Sequence, residues 1–418
     1  MAAPATTPSS LLPLRETRRV SAADQAAGII RQAYETATPV YPIGGGTSLG
    51  LGLVPTDPGI GLDLAGLNGV IDYPARDLTV TVEAGMTMAA LAELLAGERQ
   101  RLPVDVPQAD RATLGGVIAT NFNGPRRYGE GSLRDYVIGI AAIDGRGNLF
   151  HGGGRVVKNV AGYDFCKLLT GSLGSLGVVT QVTLKLKPIP EQSALVACAV
   201  RDEPEAERLL AALITSRTRP VAIELLAGPA WEREASLAAL APPFEKPLFL
   251  VVGLEGSSRE VEAMTRQLLA EWRSQGVEQP LVIGEAANLW KRLVEFPAEG
   301  ESPLVLRFSV VPSGTTAIVA AVRQLDPACS IQAHAGNGSV LVQFSQIPAQ
   351  GLTRSLVGTL QPLAAAHRGY VVTLANPGRI EMTHQSVWGA TDLPLTLMAE
   401  VKRQFDPRNI LNRGRFVV

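Results

Sequence analysis

Val40-Tyr41-Pro42-Ile43-Gly44-Gly45-Gly46-Thr47-Ser48-Leu49-Gly50 is a short apolar run that opens onto three consecutive glycines and two hydroxyl residues. Without Cβ atoms, successive amide N–H groups can turn to the same side and form an anion-binding nest. Thr47 and Ser48 add hydroxyl donors where a phosphate would sit. The run lacks the GK[ST] ending of a P-loop, and Leu49 takes the place of the last glycine of G-x-G-x-x-G. From these residues alone, a tight turn in a glycine-rich chain reads equally well.

Working outward, two further glycine segments follow. In Ala112-Thr113-Leu114-Gly115-Gly116-Val117-Ile118-Ala119-Thr120-Asn121 the glycine pair lets backbone approach a flat ligand, with Thr113, Thr120 and Asn121 as hydrogen-bonding groups. Gly124 and Tyr128-Gly129 come after it. Close helix–strand packing uses the same small residues. The third segment starts at Lys158-Asn159-Val160-Ala161-Gly162-Tyr163-Asp164 and runs to Gly171-Ser172-Leu173-Gly174-Ser175-Leu176-Gly177-Val178-Val179. Its glycines, three apart, open onto a strand.

Around these segments the elements follow from pattern. Ser21 to Asp24 has the form of a capping box for a helix over the next dozen residues. Strands are expected at 60–64, 69–73 and 78–83, a helix capped by Thr87, and extended chain again at 102–104. Asp144-Gly145-Arg146-Gly147 is a hairpin turn, and 178–186 alternates as a half-buried strand that Pro188 and Pro190 end. From Pro190 to about Asp392 strands and helices alternate, with helical spacing over 203–216, 257–274 and 315–325 and strand runs at 249–254, 304–311 and 340–344. Residues 395–405 form an amphipathic helix. The expected fold class is α+β: a disordered tail over 1–14, a first domain over 15–190, an α+β cap over 191–392, and a segment over 393–418 that returns to the first domain.

Composition narrows the function classes. A chain of 418 residues with 46% apolar and 18% charged residues exceeds one ordinary core and is built to bury two or three. With 38 basic against 39 acidic residues and no basic run, nucleic acid is not an expected partner. Cys166, Cys198 and Cys329 are isolated, so no C-x-x-C framework for zinc or an iron–sulfur cluster is present and no metal is expected. Buried thiols in a reducing, cytoplasmic setting are the simplest reading. No apolar run approaches the about 18 residues of a membrane span, so any membrane contact would come through a partner.

Taken together, the order and spacing of the three glycine segments resemble the vanillyl-alcohol-oxidase-type (PCMH-type) FAD-binding family over residues 15–190. The resemblance implies that Gly44, Gly45, Gly46, Thr47, Ser48 and Gly50 wrap an FAD diphosphate. It implies that Thr113, Gly115, Gly116, Thr120 and Asn121 line the isoalloxazine and ribityl region, and that Val178 and Val179 meet FAD through backbone. The ending Asp406-Pro407-Arg408-Asn409-Ile410-Leu411-Asn412 is similar to the returning segment of the flavin-bound D-2-hydroxyacid dehydrogenases, which makes Asn412 a flavin neighbour. Arg413 stands where relatives usually have proline. No histidine lies in the diphosphate loop, so FAD is expected to be non-covalent. Lys158 to Val179 is most similar to the FAD-binding subunits of bacterial glycolate oxidases, with Leu173 where the larger substrate-oxidising subunits carry glutamate. That likeness implies two partners: a larger FAD-containing catalytic subunit and an iron–sulfur subunit.

Oxidising a 2-hydroxy acid needs a hydride acceptor, a base for the hydroxyl proton and a cation for the carboxylate. The four histidines are His151, His334, His367 and His384. His151 reads as a surface residue and His367 as a solvated helix end. His334-Ala335-Gly336-Asn337-Gly338-Ser339-Val340-Leu341 resembles an H-x-G-D-G-N-x-H segment in which Asn337, Ser339 and Leu341 replace the acid, the amide and the second histidine. His334 and, outside that segment, His384 are the candidate bases, although a lone histidine is more often structural. Arg307 and Arg379 are candidate carboxylate clamps, against the alternative of salt-bridged surface side chains. Three readings stay open: a glycolate-oxidising FAD subunit with a non-NAD acceptor, a flavin subunit that relays electrons or holds a complex together, and a self-sufficient flavoenzyme acting on another substrate.

Overall fold

A computed structural model describes residues 11–154, 162–240, 245–389 and 394–416. It divides into two compact units. The described residues of one fall within Pro4–Asn123, Ser132–Ile189 and Asp392–Val418; those of the other fall within Gly124–Gly131 and Pro190–Thr391.

The described residues of the first unit form two larger sheets and a two-stranded ribbon. β1 (Leu14–Arg19), β2 (Val40–Ile43) and β3 (Gly59–Asp63) form a parallel sheet in the order β1-β3-β2. β4 (Val70–Asp72), β5 (Thr79–Glu83), β7 (Val137–Ile143), β8 (Leu149–Gly153) and β9 (Val178–Lys185) form an antiparallel sheet in the order β4-β5-β9-β7-β8. β9 is central and buried on both faces, where its alternation had suggested a half-exposed strand; its valines and threonines suit either face of a covered sheet. β6 (Gln100–Arg101) pairs with β10 (Lys187–Pro188), so extended structure precedes Leu102 and Pro188 lies within a strand. Pro188 can sit there because a two-residue ribbon asks little of its missing N–H. The 144–147 hairpin joins β7 to β8 as expected.

Local capping departs from expectation at the first helix, Ala23–Thr36. Its N-cap is Ala22, and the Gln25 side-chain Oε1, not Asp24, accepts from the Ser21 N–H at 3.0 Å. Thr87 caps Met88–Ala96 as expected, accepting from the Ala90 N–H at 3.2 Å. Of the expected tail, residues 1–10 lie outside the described residues, whereas Leu12 is buried and β1 starts at Leu14. Helix Leu395–Phe405 buries Lys402 and leaves Leu395 and Leu397 exposed, the reverse of an apolar seam.

The second unit is one antiparallel sheet with both faces covered. Its strands are β11 (Gln192–Val200), β12 (Ala222–Ala227), β13 (Leu248–Gly256), β14 (Leu281–Val282), β15 (Leu304–Ser309), β16 (Ser330–His334), β17 (Ser339–Phe344) and β18 (Tyr370–Ala375), in the order β14-β11-β13-β12-β16-β17-β15-β18. One face packs helices Glu203–Ile214, Ser258–Ser274 and Thr315–Leu325 through Leu209, Trp272 and Val319. Ser257 and Glu260 form a capping box at the start of Ser258–Ser274. The other face gathers Trp231, Trp290 and Phe296 over Leu226 and Leu341. Gly124–Gly131 joins this unit, not the FAD-type segment it follows in sequence: Gly129 N–H donates to Val221, and a Cβ on Gly336 would strike the Tyr128 ring.

All three cysteines are free and buried, as read from their isolation. Burial raises the Cys166 thiol to about 11 and Cys329 to about 12, and raises Cys198 as well, so none is poised as a thiolate.

Candidate functional site: a glycine-walled groove and a polar sheet face

The groove lies within the first unit. β2 ends at Ile43, and the chain turns through Gly44 and Gly45 against the helix Leu114–Thr120 and the residues before it. A Cβ on Gly44 would run into the Thr113 side chain, and one on Gly45 into the Arg111 carbonyl. Gly46 has φ +72°, a conformation that favours glycine. The glycines therefore serve close backbone packing as well as a bare surface, so both readings of the loop hold together. Thr113 is the N-cap of the helix, its Oγ1 accepting from the Gly116 N–H.

The third glycine segment closes the other wall. Gly171 and Leu173 N–H groups donate to the Ile118 and Ala119 carbonyls, both at 2.8 Å, which pins the turn beneath the end of the helix. Leu173 has φ +51° and Gly174 +67°. Between these walls is a groove whose lining includes Gly44, Thr113, Gly115, Gly116, Val178, Val179 and Asn412. Gly45 and Thr113 border a second cavity beside Arg111. Gly46, Thr47, Ser48 and Gly50 continue away from the groove lining in a turn, with Leu51 N–H donating to the Ser48 carbonyl.

Two expected hydrogen-bonding groups are otherwise engaged. Thr120 Oγ1 donates to its own helix, at Gly116 (3.0 Å), and Asn121 is the left-handed C-cap of that helix, φ 51°. Helix ends routinely recruit such residues, which is why their type alone does not mark them as ligand contacts. The groove also takes in Pro42, Ser172 and Gly174, which the sequence segments contain without their having been singled out. Lys158 to Ala161 fall outside the described residues.

Asn412 reaches the groove because the chain end runs beside β2. Val40 N–H donates to Ile410, and Asn412 N–H donates back to Val40 at 2.9 Å. Its side-chain Nδ2 donates to the Leu173 carbonyl, leaving Oδ1 buried without a partner. An orphaned buried acceptor in a groove walled by backbone fits a ligand that presents an N–H there, and the flavin ring of FAD has such a donor. Arg415 stitches the same tail to the diphosphate-type loop, donating to the Leu49 and Leu51 carbonyls at 2.6 and 2.7 Å. Arg413, in place of the usual proline, pairs with Asp57 at 3.3 Å.

The second unit carries a separate cluster. Register places Glu224, His334, Ser339, Ser309 and Tyr370 in one cross-strand row, and Leu226, Gln332, Leu341, Arg307 and Val372 in the next row on the same face. His334 is 3% and Glu224 1% exposed. His334 Nδ1 lies 2.8 Å from both Glu224 carboxylate oxygens, and Gln332 Nε2 donates to the same carboxylate at 2.9 Å. His334 Nε2, Gln332 Oε1, Arg307 Nε and both polar atoms of the Asn337 side chain are buried with no partner. His334 is therefore only half satisfied, not a fully bonded structural histidine. Burial lowers the Arg307 guanidinium below its ordinary value, with Tyr370 opposing and Arg127 adding to the effect, so Arg307 is not a surface ion pair.

The other candidates stand apart in character. His384 opens a five-residue helix and is exposed, as is Arg379, at φ 52°. His151 is exposed at the end strand of its sheet and His367 is a half-buried helix C-cap. Glu224 was missed from the sequence. The signal was a single acid in Val221-Ala222-Ile223-Glu224-Leu225-Leu226-Ala227, where a buried charge requires a partner.

Comparison with known proteins fits this geometry. Residues 17–153 match the FAD binding domain family, and residues 189–372 and 384–416 match the FAD linked oxidases, C-terminal domain family. The chain belongs to the FAD-linked oxidases, and FAD is its cofactor. It is 28% identical over 411 residues to a D-2-hydroxyglutarate dehydrogenase of Xanthomonas citri pv. viticola, covering 94% of this chain and 87% of that protein. It is 37% identical over 165 residues to glycolate oxidase subunit GlcE of Escherichia coli, covering 39% of this chain and 47% of that protein. Among solved structures, alkyldihydroxyacetonephosphate synthase superposes with a TM-score of 0.70 at 15% identity, over 96% of this chain and 77% of that one, a likeness of fold. Among the described residues, no helix is long and apolar enough to cross a membrane.

Proposed function

We propose that this chain is the FAD-binding subunit of a glycolate oxidase, oxidising a small 2-hydroxy acid to its 2-oxo acid with an acceptor other than NAD. The observation that carries the reading is the groove at which the glycine loop, the Leu114–Thr120 helix, the Gly171–Gly177 turn and Asn412 converge. Gly44, Gly45, Gly46, Thr47, Ser48 and Gly50 hold the diphosphate side of FAD. Thr113, Gly115, Gly116, Val178, Val179 and Asn412 hold the ring side, with Thr120 and Asn121 supporting it as the end of the Leu114–Thr120 helix. Bound there, FAD supplies the hydride acceptor.

His334 takes the hydroxyl proton at Nε2, while Glu224 accepts from Nδ1 and fixes the ring tautomer. Arg307 offers a guanidinium to the substrate carboxylate. The GlcE match supports glycolate and the two-partner assembly of a larger FAD-containing subunit and an iron–sulfur subunit.

A second reading has its own support. Leu341 stands at the second-histidine position and packs in the apolar core at 2% exposure, so the face carries one histidine where the motif has two. A flavin subunit whose partner holds the substrate site fits that change. Anaerobic addition of glycolate to the purified chain separates the two. Bleaching of the flavin bands is expected from a self-contained site; bands that respond only after the catalytic partner is added would establish the second reading.

A further inference from the structure

We propose that the buried Lys402–Asp406 pair is a positioning element for the flavin groove, setting Asn412 so that its Oδ1 faces the ligand. The inference rests on Asn412 being a flavin neighbour. Lys402 is the buried residue of helix Leu395–Phe405, with Nζ 2.6 Å from Asp406 Oδ2. The same Nζ donates to the Ser175 carbonyl at 2.8 Å and to the Leu411 carbonyl at 3.0 Å. One ammonium thus joins three pieces of chain: its own helix end, the glycine turn that walls the groove, and the residue before Asn412.

Asp406 completes the arrangement from below, accepting from the Ile410 N–H at 3.0 Å and the Leu411 N–H at 2.7 Å. Every donor of Lys402 and both oxygens of Asp406 are therefore in use, which is the condition under which a buried ion pair holds one geometry. Nothing in the pair is left for solvent or for chemistry. The free valence emerges one residue on, at Asn412, where Nδ2 is fixed on Leu173 and Oδ1 is bare. That polarity selects a ligand edge bearing an N–H donor over one bearing only acceptors. Burial lowers the Lys402 ammonium, and Asp406 opposes the shift, as expected for a charge kept in place by its partner.

The test measures FAD affinity by fluorescence titration of the full-length apoprotein, with the bound visible spectrum and far-UV circular dichroism recorded alongside. Asn412→Ala and the charge-free pair Lys402→Met/Asp406→Asn are each expected to weaken FAD binding about tenfold, the loss of one ordinary hydrogen bond. Both should shift the flavin bands the same way. Combining them should weaken binding no more than about twofold further, because the two changes remove one interaction. If Asn412→Ala binds FAD normally, the flavin-neighbour reading falls and the proposal with it. If Asn412→Ala is weakened while the pair variant binds as the parent does, the positioning role alone is overturned. Losses that multiply when combined overturn it too. Should the pair variant fail to fold, Lys402→Gln, which keeps a donor for one carbonyl, replaces it under the same criteria.

Discussion

Gly45→Ala abolishes retention of FAD, with affinity expected to fall on the order of a hundredfold or more, about 2.8 kcal/mol at tenfold per 1.4 kcal/mol. The added methyl would occupy the Arg111 carbonyl, so the loop must move away from the segment that leads into the Leu114–Thr120 helix. Overpacking against backbone is not relieved by a side-chain rotation. Gly28→Ala is the matched control: Gly28 lies within the helix Ala23–Thr36 with nothing near its Cβ position. It should stabilise the protein by about 0.5–1 kcal/mol and leave FAD binding unchanged. Isothermal titration with FAD and thermal unfolding of the two apoproteins decide the matter. An unchanged affinity in Gly45→Ala would mean that the loop does not shape the site.

The second large effect concerns His334. Its replacement by alanine is expected to slow glycolate-dependent reduction of the flavin by about 10²–10⁴-fold while the oxidised spectrum and FAD affinity stay those of the parent. Glu224→Gln keeps a hydrogen-bonding group beside Nδ1 but permits the opposite arrangement of donor and acceptor, so it should also slow reduction, through the histidine tautomer and not through the flavin. Stopped-flow reduction under anaerobic conditions reads both. Equal rates in His334→Ala and the parent would remove His334 from the chemistry and favour a substrate site on the partner subunit.

What was legible in the sequence depended on whether local chemistry decided it. The 144–147 hairpin, the Thr87 cap and helices such as Thr315–Leu325 were readable because local turn, cap and periodicity signals decide them, and the glycine loop because its missing side chains mark a close backbone approach. β9 was misjudged since alternation records residue type, and a valine–threonine strand tolerates cover on either face. Lys402 was hidden inside an apparently amphipathic helix: nothing local states that a lysine will be buried, because its three acceptors come from residues 4 to 227 positions away. Glu224 and His334 are 110 residues apart and meet only through the pairing of β12 with β16. Tyr128 and Gly129 were assigned by adjacency to the FAD-type segment, yet their packing partners, Gly336 and Val221, belong to the other unit. Sequence proximity carries no information about that choice. The decayed histidine motif was visible as letters, but its consequence, a histidine bonded on one side and bare on the other, is a property of the sheet face.

The visible absorption spectrum of the chain purified by itself tests the central claim most directly. Flavin bands that persist through gel filtration, and that leave with the small-molecule fraction once the protein is denatured, are the predicted result: FAD held by this chain, without a covalent bond. A colourless protein that also takes up no FAD on titration would contradict the account.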